Sequence, residues 1–158
     1  MKRILLAVNA FIWIAVSASG QEAAPVTFYD FRIYKGTSDE KDVTAWLLEA
    51  EMRTVFYLFE EDSVLMMANM AIKTGSQSYG PLVQTKDSEY AETEDGDEIA
   101  AHYFDWRYTN DYDEETGIAK VKAIIITKKD AIYLHLSIVP NDFRLIIYHG
   151  IMEREPDL

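Results

Sequence analysis

The feature that most constrains the fold of this chain is an alternation of apolar and polar side chains with a period of two residues. It recurs in residues 102–109, 118–128, 131–139 and 143–149, which are separated by short polar segments. In the first of these segments His102, Phe104, Trp106 and Tyr108 alternate with Tyr103, Asp105, Arg107 and Thr109. Because successive side chains of a β-strand point to opposite faces, this period predicts half-buried strands.

The N-terminal part carries the same pattern with less regularity. Residues 26–34 read as a strand, and residues 55–59 and 64–72 read as a β-hairpin. Strict alternation predicts that Phe28, Asp30, Arg32 and Tyr34 share one face of the first strand, and that Tyr29, Phe31 and Ile33 share the other. Residues 43–54 fit either a helix or a strand, and their alternation favours the strand.

The segment 73–98 is rich in Gly, Ser, Gln and acidic residues, and it predicts a polar acidic loop. Residues 81–85 are a candidate for a short edge strand inside that loop. A structureless loop of this length is unusual in a compact domain.

These segments amount to about seven or eight strands joined by short turns, which predicts an all-β antiparallel meander. Such a meander closes into a small barrel or stacks as a two-sheet sandwich. The strand order resembles the small up-and-down barrels of the lipocalin type. The Gly-x-Trp motif of that family is absent from the first strand, where Phe28 to Arg32 stand, so the pattern alone implies no membership.

Residues 1–20 have the three parts of a secretory signal peptide. Met1-Lys2-Arg3 is basic, residues 4–16 are apolar except for Asn9, and small residues precede a predicted cut after Gly20. We therefore expect residues 21–152 to form a single β-rich domain and residues 153–158 to be a loose C-terminal tail.

The net charge and the absence of cysteine restrict which cellular compartments and which binding partners suit this chain. The net charge is −12, and cleavage after Gly20 would remove two basic residues and no acidic one, giving −14. Such a charge disfavours binding to nucleic acid. The chain has no cysteine and no Asn-x-Ser/Thr sequon, which together with the leader favours a bacterial periplasmic or secreted protein. The sequence predicts no transmembrane segment after cleavage and leaves the oligomeric state open.

Two groups of side chains are candidates for metal binding. Asp111, Asp113 and Glu115 have the spacing of the first ligands of a calcium loop, although Gly117 and Lys122 do not fit the strict EF-hand pattern. The alternative is a solvated hairpin tip in which Gly117 adopts a positive φ. His102, His135 and His149 lie on three predicted strands, so they converge only if the fold brings them together; ordinary strand histidines are the favoured interpretation.

The aromatic residues are the most distinctive feature for function. A ligand or partner surface is predicted at Tyr103, Trp106, Tyr108, Tyr133 and His135. The favoured hypothesis is an exported, non-enzymatic β-domain that binds a small apolar ligand or a protein partner. One alternative is a small hydrolase or isomerase that uses carboxylates with His135 or His149, and another is a structural component of the cell envelope. No cofactor other than a weakly held calcium ion is indicated.

Overall fold

The computed structural model describes residues 23–35, 39–59, 64–141 and 144–152. The predicted signal peptide, residues 1–20, and the predicted tail, residues 153–158, lie outside the described residues. The described residues form ten strands and two short helical segments. They are β1 (Ala23–Lys35), β2 (Asp39–Asp42), α1 (Thr44–Glu49), β3 (Met52–Phe59), β4 (Val64–Ala71), a 3₁₀ turn (Ile72–Thr74), β5 (Ser76–Gln84), β6 (Glu89–Glu92), β7 (Glu98–Asn110), β8 (Thr116–Thr127), β9 (Ile132–Pro140) and β10 (Leu145–Met152).

Eight of these strands form a closed antiparallel barrel. The order around the barrel is β1-β3-β4-β5-β7-β8-β9-β10, and β10 pairs with β1 to close it. The all-β antiparallel meander is therefore confirmed, and of the two expected architectures the barrel is the one that forms. Closure leaves the eight wall strands without a free edge, which suits a chain so rich in apolar residues.

The two extra strands extend the wall where neighbouring barrel strands diverge. On its edge away from β10, β1 pairs with β3 through residues 23–27 and with β2 through residues 32–35. In the same way β7 pairs with β6 through residues 98–101 and with β5 from residue 104 onward.

The core fills the barrel interior, and the alternation predicted for the C-terminal strands is confirmed. In β9 the inward side chains of Ile132, Leu134, Leu136 and Ile138 are all buried, whereas the residues between them are partly exposed. On β1 and β10, next to β9, the rings of Phe28, Phe31 and Tyr148 pack together with centroids 5.2–5.4 Å apart.

Strict alternation fails in β1, and the predicted division of its two faces was wrong beyond Phe28. A β-bulge shifts the register, so that Phe28 pairs with Gly150 and Asp30 pairs with His149 while Tyr29 is the extra residue. As a result both Phe28 and Phe31 are buried, and Tyr29 is 51% exposed. A bulge adds one residue to one strand and re-aims the side chains beside it.

The preference for a strand over residues 43–54 was also wrong for its first half. Thr44–Glu49 form the helix α1, and a strand begins only at Met52. The backbone N–H of Thr44 donates to Asp42 Oδ1 over 2.9 Å at the start of the helix. The helical alternative rests on Leu47 and Leu48, which are good helix formers. In the structure Leu47 is buried against the end of the barrel.

The polar segment 73–98 is not one long loop. Ser76–Gln84 form β5, a full barrel strand between β4 and β7, and Glu89–Glu92 form β6. The buried members of β5 are only Gly80 and Leu82, so its sequence has little apolar alternation to reveal it. Within the described parts of the chain, no helix is long and apolar enough to cross a membrane.

Candidate functional site

A cavity of about 320 Å³ opens at the end of the barrel where α1 lies, which we call the mouth. Its walls are formed by residues near the C-terminal ends of β4, β7 and β9 and near the N-terminal ends of β3, β5, β8 and β10. Trp46 and Leu47 of α1 border it from outside. Leu47 is buried, whereas Trp46 is 64% exposed, so α1 partly covers the mouth and leaves an aromatic ring at its rim.

Four aromatic residues, Trp46, Trp106, Tyr108 and Tyr148, contribute to the cavity wall. The rings of Trp106 and Tyr108 lie 4.9 Å apart between centroids, and Trp106 Nε1 donates to the Met67 carbonyl over 3.2 Å. The Tyr108 ring lies over Gly117, its partner on β8, and a Cβ at that glycine would come within 2.5 Å of the Tyr108 hydroxyl oxygen. Gly117 is therefore required for a close approach and does not supply a positive φ, which Glu114 adopts instead in this turn.

Polar groups are placed at defined points of the same cavity. The Thr54 hydroxyl donates to Asn69 Oδ1 over 2.5 Å, and both residues are buried. Nearer the mouth, Asn110 Nδ2 donates to Ser78 Oγ over 3.0 Å. Arg144 is exposed and borders the opening. Thr74, Ser76 and Glu115 also line the cavity, so its wall is nearly as polar as it is apolar. Polar groups placed in this way can fix the orientation of a bound small molecule.

Tyr148 forms part of the cavity wall and is in its neutral form. Burial raises the pKa of its hydroxyl to about 12, and the charge of Arg144 acts in the opposite direction. The hydroxyl is thus protonated at every physiological pH and is available as a donor or an acceptor.

A second cluster lies on the outer wall and spans three adjacent strands. His135 on β9 and His149 on β10 are register partners, and their Nδ1 and Nε2 atoms lie 2.6 Å apart. Ser137 Oγ lies 3.2 Å from His135 Nε2, and Asp30 Oδ2 lies 3.0 Å from His149 Nδ1. These four side chains, which we call the outer histidine row, form one continuous hydrogen-bonded chain.

Asp30 is the fixed end of the outer histidine row. Burial alone would raise its pKa, but hydrogen bonds from His149, Arg32 and Thr44, together with the charge of Arg32, hold the pKa below its ordinary value. Arg32 Nε donates to Asp30 Oδ1 over 2.8 Å, so the carboxylate is bound on both oxygens. Asp30 is therefore ionised and held in one orientation at neutral pH.

His135 is held in its neutral form, whereas Asp30 is held in its charged form. Burial, the neighbouring His149 and the charge of Lys122 lower its pKa below the ordinary value of 6.5. The ring is therefore neutral at neutral pH, which is the form that accepts a proton or binds a metal ion.

The five residues predicted as one ligand or partner surface are divided between two faces. Trp106 and Tyr108 line the cavity, whereas Tyr133 and His135 lie on the outer wall. Tyr103 also faces outward; its hydroxyl donates to Glu89 over 2.9 Å, and Lys86 Nζ lies 3.5 Å from the ring centroid. Two of the five residues therefore line the cavity and three lie on the outer wall, so the structure does not bring the five together.

The candidate metal ligands are separated in a similar way. Only two of the three histidines meet, because His102 is buried inside the barrel, where its Nδ1 lies 2.7 Å from Ser88 Oγ. Among the described residues no three His, Asp or Glu side chains are grouped as a metal site. At the predicted calcium loop, Asp113 Oδ1 accepts from the Glu115 backbone, and the calcium hypothesis for Asp111, Asp113 and Glu115 stays a prediction.

Comparison of the chain with protein-family models, with curated proteins and with solved structures gives no match. Sequence reasoning missed Asn69 and Asp30 as site residues. Asn69 carried one signal, a polar side chain within the apolar run of residues 64–72. Asp30 carried none, because its position depends on the bulge.

Proposed function

We propose that this chain is an exported, non-enzymatic barrel that binds a small, largely apolar molecule in the cavity at its mouth. The observation that carries the proposal is the cavity of about 320 Å³, which is lined in part by aromatic rings and opens to solvent beside α1. Its volume falls at the lower end of the range of roughly 300–1,000 Å³ found for ligand pockets. A ligand of modest size, with up to about three aromatic rings, fits that volume.

The polar groups of the cavity favour an occupant with one polar end. Because Asn69 Oδ1 accepts from Thr54, the amide nitrogen is the group that Asn69 offers to a ligand at depth. Arg144 is exposed at the opening, the buried Tyr148 hydroxyl belongs to the same wall, and both can bind an oxygen-bearing end. The apolar body would then contact Trp106 and Tyr108, where aromatic contact contributes affinity.

Binding of N-phenyl-1-naphthylamine, an uncharged aromatic dye that fluoresces in apolar surroundings, tests the proposal. Ala119 is buried in the cavity wall opposite Trp106, so Ala119→Leu fills part of the space without adding a polar group. We expect a loss of affinity of about tenfold or more, because the dye and the new side chain compete for one volume.

The matched control is Ile118→Phe, one residue away on the opposite face, where the side chain is 43% exposed. We expect its dye affinity to equal that of the unchanged chain. Ser78→Phe narrows the mouth from a different strand, so it tests the cavity independently if the Ala119→Leu variant does not fold. Equal dye affinity in all four proteins would exclude the cavity as the binding site and would favour a protein partner on the outer wall.

Export is a separate part of the proposal and has its own test. The N-terminus of the chain recovered from its producing cell, read by mass spectrometry, should be Gln21 or its cyclised form. A chain that retains Met1 in the cytoplasm would contradict export while leaving the ligand-binding proposal in place.

A further inference from the structure

The outer histidine row is independent of the cavity, because its side chains point away from the barrel interior. His135 and His149 are direct partners across two antiparallel strands, so both rings project from the same level of the wall. Their ring centroids are 4.5 Å apart, and one nitrogen of each ring faces the other. Imidazole nitrogens are common ligands of transition metal ions, and two that face each other can bind the same ion.

The nitrogens on the far side of each ring have oxygen partners. Asp30 accepts a hydrogen bond at His149 Nδ1, which keeps the proton on Nδ1 and leaves a lone pair on Nε2. In the hydrogen-bonded row the proton between the two rings is on His135 Nδ1. Ser137 Oγ, which can accept, lies at His135 Nε2 and can hold that proton once a metal ion replaces it, which leaves a lone pair on Nδ1. Metal-binding histidines almost always donate their second nitrogen to such an oxygen.

Only small movements separate the present geometry from metal coordination. The two facing nitrogens are 2.6 Å apart. A metal ion bonded to both at about 2.0–2.1 Å places them roughly 3.0–3.4 Å from each other. Rotation of the two rings provides that change, and one proton moves from His135 Nδ1 to Nε2. His149 keeps 33% of its side chain exposed, so water can complete the coordination.

Two cationic side chains lie near the site: carboxylates offset the charge of Arg32, whereas the charge of Lys122, which lowers the pKa of His135, opposes a bound cation. Arg32 is neutralised by contacts with Asp30, Glu40 and Asp42 at 2.8–3.2 Å. Lys122, the register partner of Ser137, turns toward the ring of Tyr103, with Nζ 5.4 Å from its centroid.

We propose that His135 and His149 form a two-histidine site for a divalent transition metal ion, with Asp30 and Ser137 holding the rings. Because the site has two nitrogen ligands and otherwise water, it takes Cu²⁺ in preference to Zn²⁺ or Ni²⁺, following the general order of affinities. The proposal does not depend on ligand binding in the cavity.

Titration of the full chain with copper(II) chloride, followed by calorimetry and electron paramagnetic resonance, tests the site. We expect one copper per chain with two equatorial imidazole nitrogens in its spectrum, and loss of that signal in His135→Ala and in His149→Ala. A spectrum of the unchanged chain without two imidazole nitrogens overturns the proposal even if neither variant folds. So does a spectrum that both folded variants retain.

The role of Asp30 is tested separately. Asp30→Asn should weaken copper binding about 10–100-fold while keeping the two-nitrogen spectrum, as expected for a residue that orients a ligand. Asp105→Asn, on the same outer wall and salt-bridged to Lys120, is the matched control and should leave affinity unchanged. Equal affinity in the Asp30 and Asp105 variants overturns the positioning role.

Discussion

The cavity wall and the outer histidine row are opposite faces of the same strands. On the inner face, Leu136 and Tyr148 pack into the core, and on the outer face their neighbours His135 and His149 meet each other. The inner face depends on apolar volume, which many combinations of side chains can supply. The outer row depends on hydrogen bonds between particular atoms, which a shift of one residue in any strand would remove.

The largest expected effect is the loss of an inner aromatic side chain. Trp106→Ala should lower the free energy of unfolding by about 3–5 kcal/mol, because it leaves a cavity and removes the hydrogen bond to Met67. Tyr133→Ala, on the outer wall, should cost about 1 kcal/mol. Urea denaturation followed by circular dichroism measures both; equal losses would mean that the two faces contribute alike.

Added volume on the inner face should also destabilise the barrel. A Cβ at Gly150 would lie 2.7 Å from Phe28 Cδ1 and from Val26 Cγ1, so Gly150→Ala should cost about 1–3 kcal/mol. The same change made in a Phe28→Leu background should cost less, because the smaller side chain makes room. An identical cost in the two backgrounds, measured by the same denaturation, would show that Phe28 is not the obstacle.

Removal of the bulge residue should have a smaller effect. Deletion of Tyr29 leaves Phe28 and Phe31 alternating with Asp30 in a regular strand, so both phenylalanines stay inward and Asp30 still meets His149. We expect a loss of about 1 kcal/mol, through reduced local twist. A loss as large as that of Trp106→Ala in urea denaturation would indicate that the bulge itself is needed to close the barrel.

The smallest expected effect is on the pH dependence of stability. The pKa of His135 is lowered in the folded state, so the unfolded chain binds more protons as the pH falls below 6.5, and stability decreases there. His102, whose pKa burial also lowers, contributes with the same sign from inside the barrel. Asp30 loses its contribution only at lower pH, since its pKa is depressed.

We therefore expect His135→Gln to reduce the fall in melting temperature between pH 6.5 and pH 5 without abolishing it. The residual slope belongs to His102. Melting curves at four or five pH values suffice for the comparison, and a slope unchanged by His135→Gln would contradict the assignment.

Some features of this chain could be predicted because they depend on neighbours in sequence. The faces of β9 follow from alternation, and the hairpin of β3 and β4 follows from two apolar runs around a polar connection. Of β5, only a short edge strand over residues 81–85 was considered; its full extent as a barrel strand was not predicted, because its partners on both sides supply the pairing that its own composition does not indicate. The helix α1 was ambiguous for a related reason: Leu47 finds a buried place only once the barrel end exists.

The sequence by itself determined the period-two pattern, the all-β class and the aromatic character of the interior, since these follow from the geometry of a single strand. Tertiary structure decided that the sheet closes between β1 and β10, because closure depends on the summed twist and register of eight strands. It also decided the outer histidine row. Asp30 and His149 lie 119 positions apart in the chain; with Tyr29 accommodated in the bulge Asp30 faces outward, and barrel closure brings its side chain into contact with His149.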